Sequence, residues 1–80
     1  MGYAVQVVAK PPLDMADECI TYNGWEGITE WEFDSIEDAR ELFDKVQNII
    51  YQMYPWLGAY EQVEAYLWDD ETDSVEIKRL

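Results

Sequence analysis

The stretch TEWEFDSIEDARELFDKVQNIIYQM, residues 29–53, decides the fold, because its hydrophobic period changes after Phe33. Up to that point Thr29, Trp31 and Phe33 alternate with Glu30, Glu32 and Asp34. A period of two sends successive side chains to opposite faces of a strand, here one set inward and three carboxylates outward. Beyond it Ile36, Ala39, Phe43, Val46, Ile50 and Met53 recur at spacings of three and four, with Leu42 and Ile49 alongside, which is the pattern of an amphipathic helix. That helix ends before Pro55, since the residue ahead of a proline is disfavoured in helical conformation. Asp34 or Ser35 is placed to cap its start, and Glu37 and Asp38 complement the positive end of the helix dipole. On its outer face Arg40/Asp44 and Glu41/Lys45 stand at i,i+4, so the bases mask the middle of the helix and leave its first turn negative.

Working outward, residues 3–10 (YAVQVVAK) are β-branched and roughly alternating, and they stop at Pro11-Pro12, which cannot donate to a ladder. Residues 18–22, then Asn23-Gly24, then residues 25–33 read as a hairpin around a type I′ turn, with Gly27 as a bulge position. After the helix, residues 54–58 form a connection of bulky side chains, and residues 62–68 alternate as a strand. The loop 69–74 leads into a last strand that closes a second hairpin, with Val75 and Ile77 on one face and Glu76 and Lys78 on the other. The expected fold is α+β: an antiparallel sheet of about four to five strands with one amphipathic helix packed across one face.

The chain has 80 residues, too few to divide between two cores, so residues 1–80 are read as a single acidic domain. Eighteen acids against five bases give a net charge of −13, with nine acids in each half of the chain. The negative charge belongs to the fold and not to a tail, and it argues against direct binding to nucleic acid, whose phosphates need clustered Lys and Arg. With no His and with Cys19 as the single cysteine, Ser-His and Cys-His nucleophiles, His-based or multi-Cys zinc sites and internal disulfides are excluded. Cys19, with no base beside it in the sequence, reads as an inert small hydrophobe. No window approaches the ~18 consecutive apolar residues of a membrane span, and the N-terminus lacks the basic start of a signal peptide, so a cytoplasmic, unprocessed protein is expected.

Four constellations bear on chemistry. The first is the acidity itself, which comprises Glu30, Glu32 and Asp34 on the strand, Glu37 and Asp38 at the helix start, and Asp69, Asp70, Glu71, Asp73 and Glu76 on the last hairpin. Same-face strand residues stand ~6.6 Å apart, the same order of spacing as charges on a nucleic-acid strand, which rises ~3.4 Å per phosphate. Charge of this size exceeds the ~2 to 8 units that serve solubility in a small domain. The second is the run Asp69-Asp70-Glu71-Thr72-Asp73, which begins like a Ca²⁺ loop but has Ser74 where glycine belongs and Leu80 where a bidentate glutamate belongs. It reads as a solvated hairpin tip, and neither a metal nor a cofactor is expected. The third is carboxylate catalysis, which the small size and the lack of a Lys/Arg cluster disfavour, so the chain is read as a non-enzyme. The fourth is the aromatic set: Trp31, Phe33 and Phe43 read as core, whereas Trp25, Trp56 and Trp68 are candidate anchors for a partner.

In its acid rows, size and layout the whole chain resembles small acidic phage-encoded inhibitors, notably anti-CRISPR proteins of the DNA-mimic type. The segment WEFDSIEDARELFDKV, residues 31–46, looks like strand-to-helix segments common in short phage proteins. The resemblance implies that the chain occupies a Lys/Arg-lined DNA- or PAM-reading groove of a CRISPR effector, competes with the duplex, and acts in the cytoplasm of a phage's host. The partner is then a basic nucleic-acid-binding protein or ribonucleoprotein; independently of the resemblance, no membrane partner is expected and a monomer is expected over a homodimer. An immunity protein or antitoxin that neutralises a basic nuclease toxin asks for the same acidity and the same anchors.

Overall fold

The computed structural model describes residues 2–11 and 25–80. Within them the chain runs β1 (Tyr3–Lys10), β2 (Glu26–Phe33), α1 (Ile36–Met53), a 3₁₀ turn (Pro55–Ala59), β3 (Gln62–Asp69) and β4 (Ser74–Arg79). The four strands form one sheet in the order β2-β1-β3-β4, and every neighbouring pair is antiparallel. The fold is α+β, with α1 laid across β1 and β3. Strands β2 and β3 flank β1 and run parallel to each other, so α1 is the crossover of a split β-α-β unit with β1 inserted. The expected arm at residues 18–22, the Asn23-Gly24 turn and Cys19 lie outside the described residues.

The core follows from the two periodicities. Val5, Val7 and Ala9 of β1 and Val63, Ala65 and Leu67 of β3 alternate inward, and Ala39, Phe43, Val46 and Ile50 of α1 close over them. Leu57 from the 3₁₀ turn is also buried in this cluster. Each fully buried aliphatic side chain of this size contributes ~1.5–3 kcal/mol of transfer free energy. Trp31 and Phe33 face the helix but are only half-buried, because β2 is an edge of the described sheet and one flank of each ring is uncovered.

The start of α1 is capped by Ser35, whose Oγ accepts the Asp38 amide at 3.4 Å and donates to Glu37 at 2.7 Å. Its end is Met53, two residues ahead of Pro55. The surface pairs depart from the i,i+4 expectation at one place. Glu41 and Lys45 pair at 3.3 Å, but Arg40 reaches past Asp44 to Glu76 of β4 at 2.6 Å. The inter-element pair ties the outer hairpin to the helix.

Gly27 lies beside a bulge: Val7 pairs with Thr29 and Val8 with Gly27, leaving Ile28 as the extra residue. The slip turns Glu26 to the side of Ala9, where the Tyr60 hydroxyl donates to its carboxylate at 2.9 Å. Strand β4 is inverted relative to the others. Glu76 lies opposite buried Leu67 and Lys78 opposite buried Ala65, so the charged residues face the helix while Val75 and Ile77 face away. Lys78 is accommodated there by the Phe43 carbonyl at 2.8 Å and by the Phe43 ring, 5.1 Å from the ammonium.

Candidate functional site

The face of the sheet away from α1 carries no other described element. Its composition is fixed by register. Three cross-strand rows run Gly27–Val8–Glu64–Arg79, Glu30–Gln6–Tyr66–Ile77 and Glu32–Ala4–Trp68–Val75. One side of this face therefore carries Glu30 and Glu32, its middle Ala4, Gln6 and Val8, and its other side Tyr66, Trp68, Val75 and Ile77, with Glu64 and Arg79 at one end.

Between the two sides lies a depression of about 540 Å³. Ala4 and Gln6 form its floor and Glu30 and Glu32 one wall, with Trp68 as the other wall and Asp34 and Asp70 at its end. The indole is held in place, since Trp68 Nε1 donates to Gln6 Oε1 at 3.2 Å and the ring meets Tyr66 edge-on at 6.2 Å between centroids. Gly2 closes the same end. Its φ of +150° and the 2.6 Å gap between a would-be Cβ and the Phe33 carbonyl leave no room for a side chain.

No Lys or Arg lines the depression. Four of the five bases are directed elsewhere, Lys10 to Glu61 at 3.8 Å, Arg40 to Glu76, Lys45 to Glu41, and Lys78 to the Phe43 carbonyl, and the fifth, Arg79, stands opposite Glu64 at the far end of the rows. Among the described residues Glu30, Glu32 and Asp70 have no cationic partner. A concave surface with uncompensated carboxylates on one side and an exposed indole on the other is complementary to an arginine or lysine side chain, which can pair with the acids and lie on the ring.

Five of the sequence-predicted site residues thus converge: Glu30, Glu32, Asp34, Asp70 and Trp68. The others do not. Asp69 Oδ1 accepts the amides of Glu71 and Thr72 at 2.9 and 3.3 Å, which makes it the organiser of the β3–β4 turn. Asp73 occupies the left-handed position of that turn, φ 53°. Glu71 accepts the Tyr3 hydroxyl at 2.5 Å, and this hydrogen bond, with burial and the charges of Glu71, Asp69 and Glu37 adding to it, pushes the phenol up to about 12. Glu37 is held below its ordinary value by its bond from Ser35. Asp38 is exposed in the first helical turn, and Glu76, facing the helix, belongs to the Arg40 pair. Among the described residues no three carboxylate or thiol side chains come together to hold a metal ion, and no helix is long and apolar enough to cross a membrane.

The aromatic candidates separate as well. Trp68 is 42% exposed beside the acids. Trp56, 49% exposed, is flanked by Tyr54 and Tyr60 at 5.6 and 5.5 Å near the opposite end of β3, while Trp25 is half-buried just before β2. The sequence reading missed Ala4, Gln6 and Gly2, the floor and end of the depression. The available signal was the alanine at 4 and the polar glutamine at 6, set between the apolar residues of β1. Comparison with protein-family models, with curated proteins and with solved structures finds no match to this chain.

Proposed function

We propose that this protein is an acidic inhibitor that covers a cationic, nucleic-acid-binding surface of a protein partner, with the depression between Glu32 and Trp68 as the point where a basic side chain of that partner enters. The observation that carries this reading is the segregation of charge. Glu30, Glu32 and Asp70 line one concave patch with no cationic partner among the described residues, while four of the five bases are engaged with other parts of the fold. Such a field accelerates encounter with a basic surface and repels nucleic acid itself. The Glu30 and Glu32 pair, ~6.6 Å apart on one strand face, stands in for part of a phosphate row. By its resemblance to DNA-mimic anti-CRISPR proteins, the partner class we favour is a CRISPR effector whose PAM- or duplex-reading groove is lined by Lys and Arg.

The test is competition. Titrating the chain into an effector ribonucleoprotein bound to its DNA target is expected to release the DNA, with a dissociation constant that weakens steeply as salt rises. The variant carrying Glu30→Lys and Glu32→Lys is expected to leave the DNA bound while keeping the circular dichroism of the parent. Release by that variant, or a flat salt response, rejects charge mimicry. Release from a basic nuclease toxin and from no effector would assign the chain to the immunity proteins.

A further inference from the structure

We infer that the outer edge of β4 pairs, antiparallel, with the same edge of a second copy of this chain, on a two-fold axis that passes through Ile77. The backbone sets the parity. Leu80 donates its amide to the Val63 carbonyl, so along β4 the groups of Leu80, Lys78, Glu76 and Ser74 point toward β3. Those of Val75, Ile77 and Arg79 point outward, and among the described residues no strand meets them. Six exposed or half-exposed residues of an edge strand with its ladder groups unpaired form a template for another strand.

A second copy of β4 fits that template better than any other strand described here. With the axis at Ile77, Ile77 exchanges both backbone hydrogen bonds with Ile77 of the second copy, and Val75 does so with Arg79. The residues between are then directly opposed: Glu76 faces Lys78 of the second copy, an opposite-charge pair made twice by symmetry. Two donors of the Lys78 ammonium are directed at the Phe43 and Asp44 carbonyls, which leaves its third for that carboxylate. On the face away from the helix the pairing covers Ile77 and Val75, 62% and 40% exposed in one copy. The opposite edge of the described sheet has no such fit. The outward backbone groups of β2 belong to Glu30 and Glu32, whose like charges repel a second β2.

Net charge argues for a monomer, but β4 is where that argument is weakest, because its residues include one acid and two bases. The remaining repulsion between two chains of −13 is long-ranged and is screened by salt. Association at β4 therefore strengthens as salt rises, the reverse of binding to a basic partner, and it leaves the groove at Trp68 open.

The experiment is sedimentation equilibrium of the full chain from ~10 to ~500 μM, at ~50 and ~500 mM salt, where the screening length falls about three-fold. The mass is expected to rise from 9.4 kDa toward twice that value with concentration, and more completely at high salt. Ile77→Pro removes only an outward-pointing amide and is expected to give a folded monomer, since proline is tolerated at such edge positions. Ile77→Lys, which places like charges on the axis, is expected to do the same without touching the backbone. Hydrogen exchange should show protection of Val75, Ile77 and Arg79 that depends on concentration, against constant protection of Glu76 and Lys78. A chain that stays monomeric at both salts, dimers unaffected by the two variants, or protection gained on β2 instead, would each overturn the inference.

Discussion

Trp68 donates its indole N–H to Gln6 Oε1 at 3.2 Å, so the ring that walls the acidic depression is held by a residue of the depression's own floor. Gln6 in turn lies between Glu30 and Tyr66 in the register, which places amide, carboxylate and two rings on one patch of the open face. An indole fixed in this way would lose little side-chain freedom on binding the basic side chain proposed above.

The first expectation concerns that ring. Truncating Trp68→Ala should weaken binding to the basic partner by ~2 kcal/mol or more, roughly 30-fold in dissociation constant, because it removes both contact area and the π-face. Gln6→Leu keeps the volume but frees the indole, and should cost less than the truncation. Isothermal titration of each variant measures the loss, with thermal melts to confirm folding. Equal affinity in the Trp68 variant would remove the anchor from the account and leave charge alone.

The second is a contrast of position at constant charge. Reversing Glu30 and Glu32 should abolish binding, whereas reversing Glu41 and Asp44 on the outer face of α1 changes the net charge equally and should leave most of the affinity. The helix pair is exposed on the other side of the sheet, where rim charges contribute little beyond steering. If the two double variants lose affinity alike, the partner senses total charge and the groove has no special part.

Much of this architecture is legible in the sequence. The switch of period after Phe33 located β2 and α1, and the β-branched, roughly alternating run of residues 3–10 marked β1 as a strand. The row Glu30, Glu32 was readable for the same reason. The groove was not, because Ala4, Gln6 and Trp68 become its floor and wall only when β1 is inserted between β2 and β3, and local periodicity carries no information on strand order. The inversion of β4 was hidden too. An alternation of Val75 and Ile77 with Glu76 and Lys78 specifies two faces without saying which meets the helix, and the answer rests on Arg40 and the Phe43 carbonyl reaching the charged pair.

Tyr3 gives a pH dependence on the alkaline side. Its phenol donates to Glu71 only while protonated, and its value stands at about 12 against an ordinary 10. A group raised in the folded state contributes stability that is complete below its unfolded value and is lost as pH climbs through the folded one. The parent should therefore lose stability between about pH 10 and about pH 12. Tyr3→Phe should be less stable than the parent at pH 8 and should converge on it above pH 12, as judged by urea midpoints. A variant whose deficit stays constant across that window would show that the hydrogen bond does not control the transition.

Gly2 is the steric hinge of the groove's closed end. A methyl group there would meet the Phe33 carbonyl at 2.6 Å, and the backbone angle of +150° is one that other residues rarely adopt. Gly2→Ala should destabilise the domain by ~1–3 kcal/mol, the usual range for local overpacking or backbone strain. The Asp70 amide, bonded to the Gly2 carbonyl at 2.9 Å, should lose exchange protection with it. Unchanged stability together with unchanged protection at Asp70 would mean that the strand end adapts freely.

The last expectation follows from the cost of concentrating so much negative charge in 80 residues. Folding draws the carboxylates together, and their mutual repulsion opposes the compact state over distances comparable with the Debye length, ~30 Å at 0.01 M salt and ~10 Å at 0.1 M. The described residues span 39 × 25 × 16 Å, so at low salt nearly every acid feels every other, whereas at 0.1 M only near neighbours do. The melting temperature of the free chain should therefore rise with sodium chloride, most steeply below ~0.1 M. The contacts of Arg40 with Glu76 and Lys45 with Glu41 are exposed, short-ranged and worth little each, so their weakening by salt does not offset the gain. Affinity for a basic partner should fall over the same range, which gives one protein two salt responses of opposite sign. A melting temperature that falls as salt rises would mean that the intramolecular ion pairs outweigh the repulsion, and the acid rows would then have to be read as part of what holds the fold together.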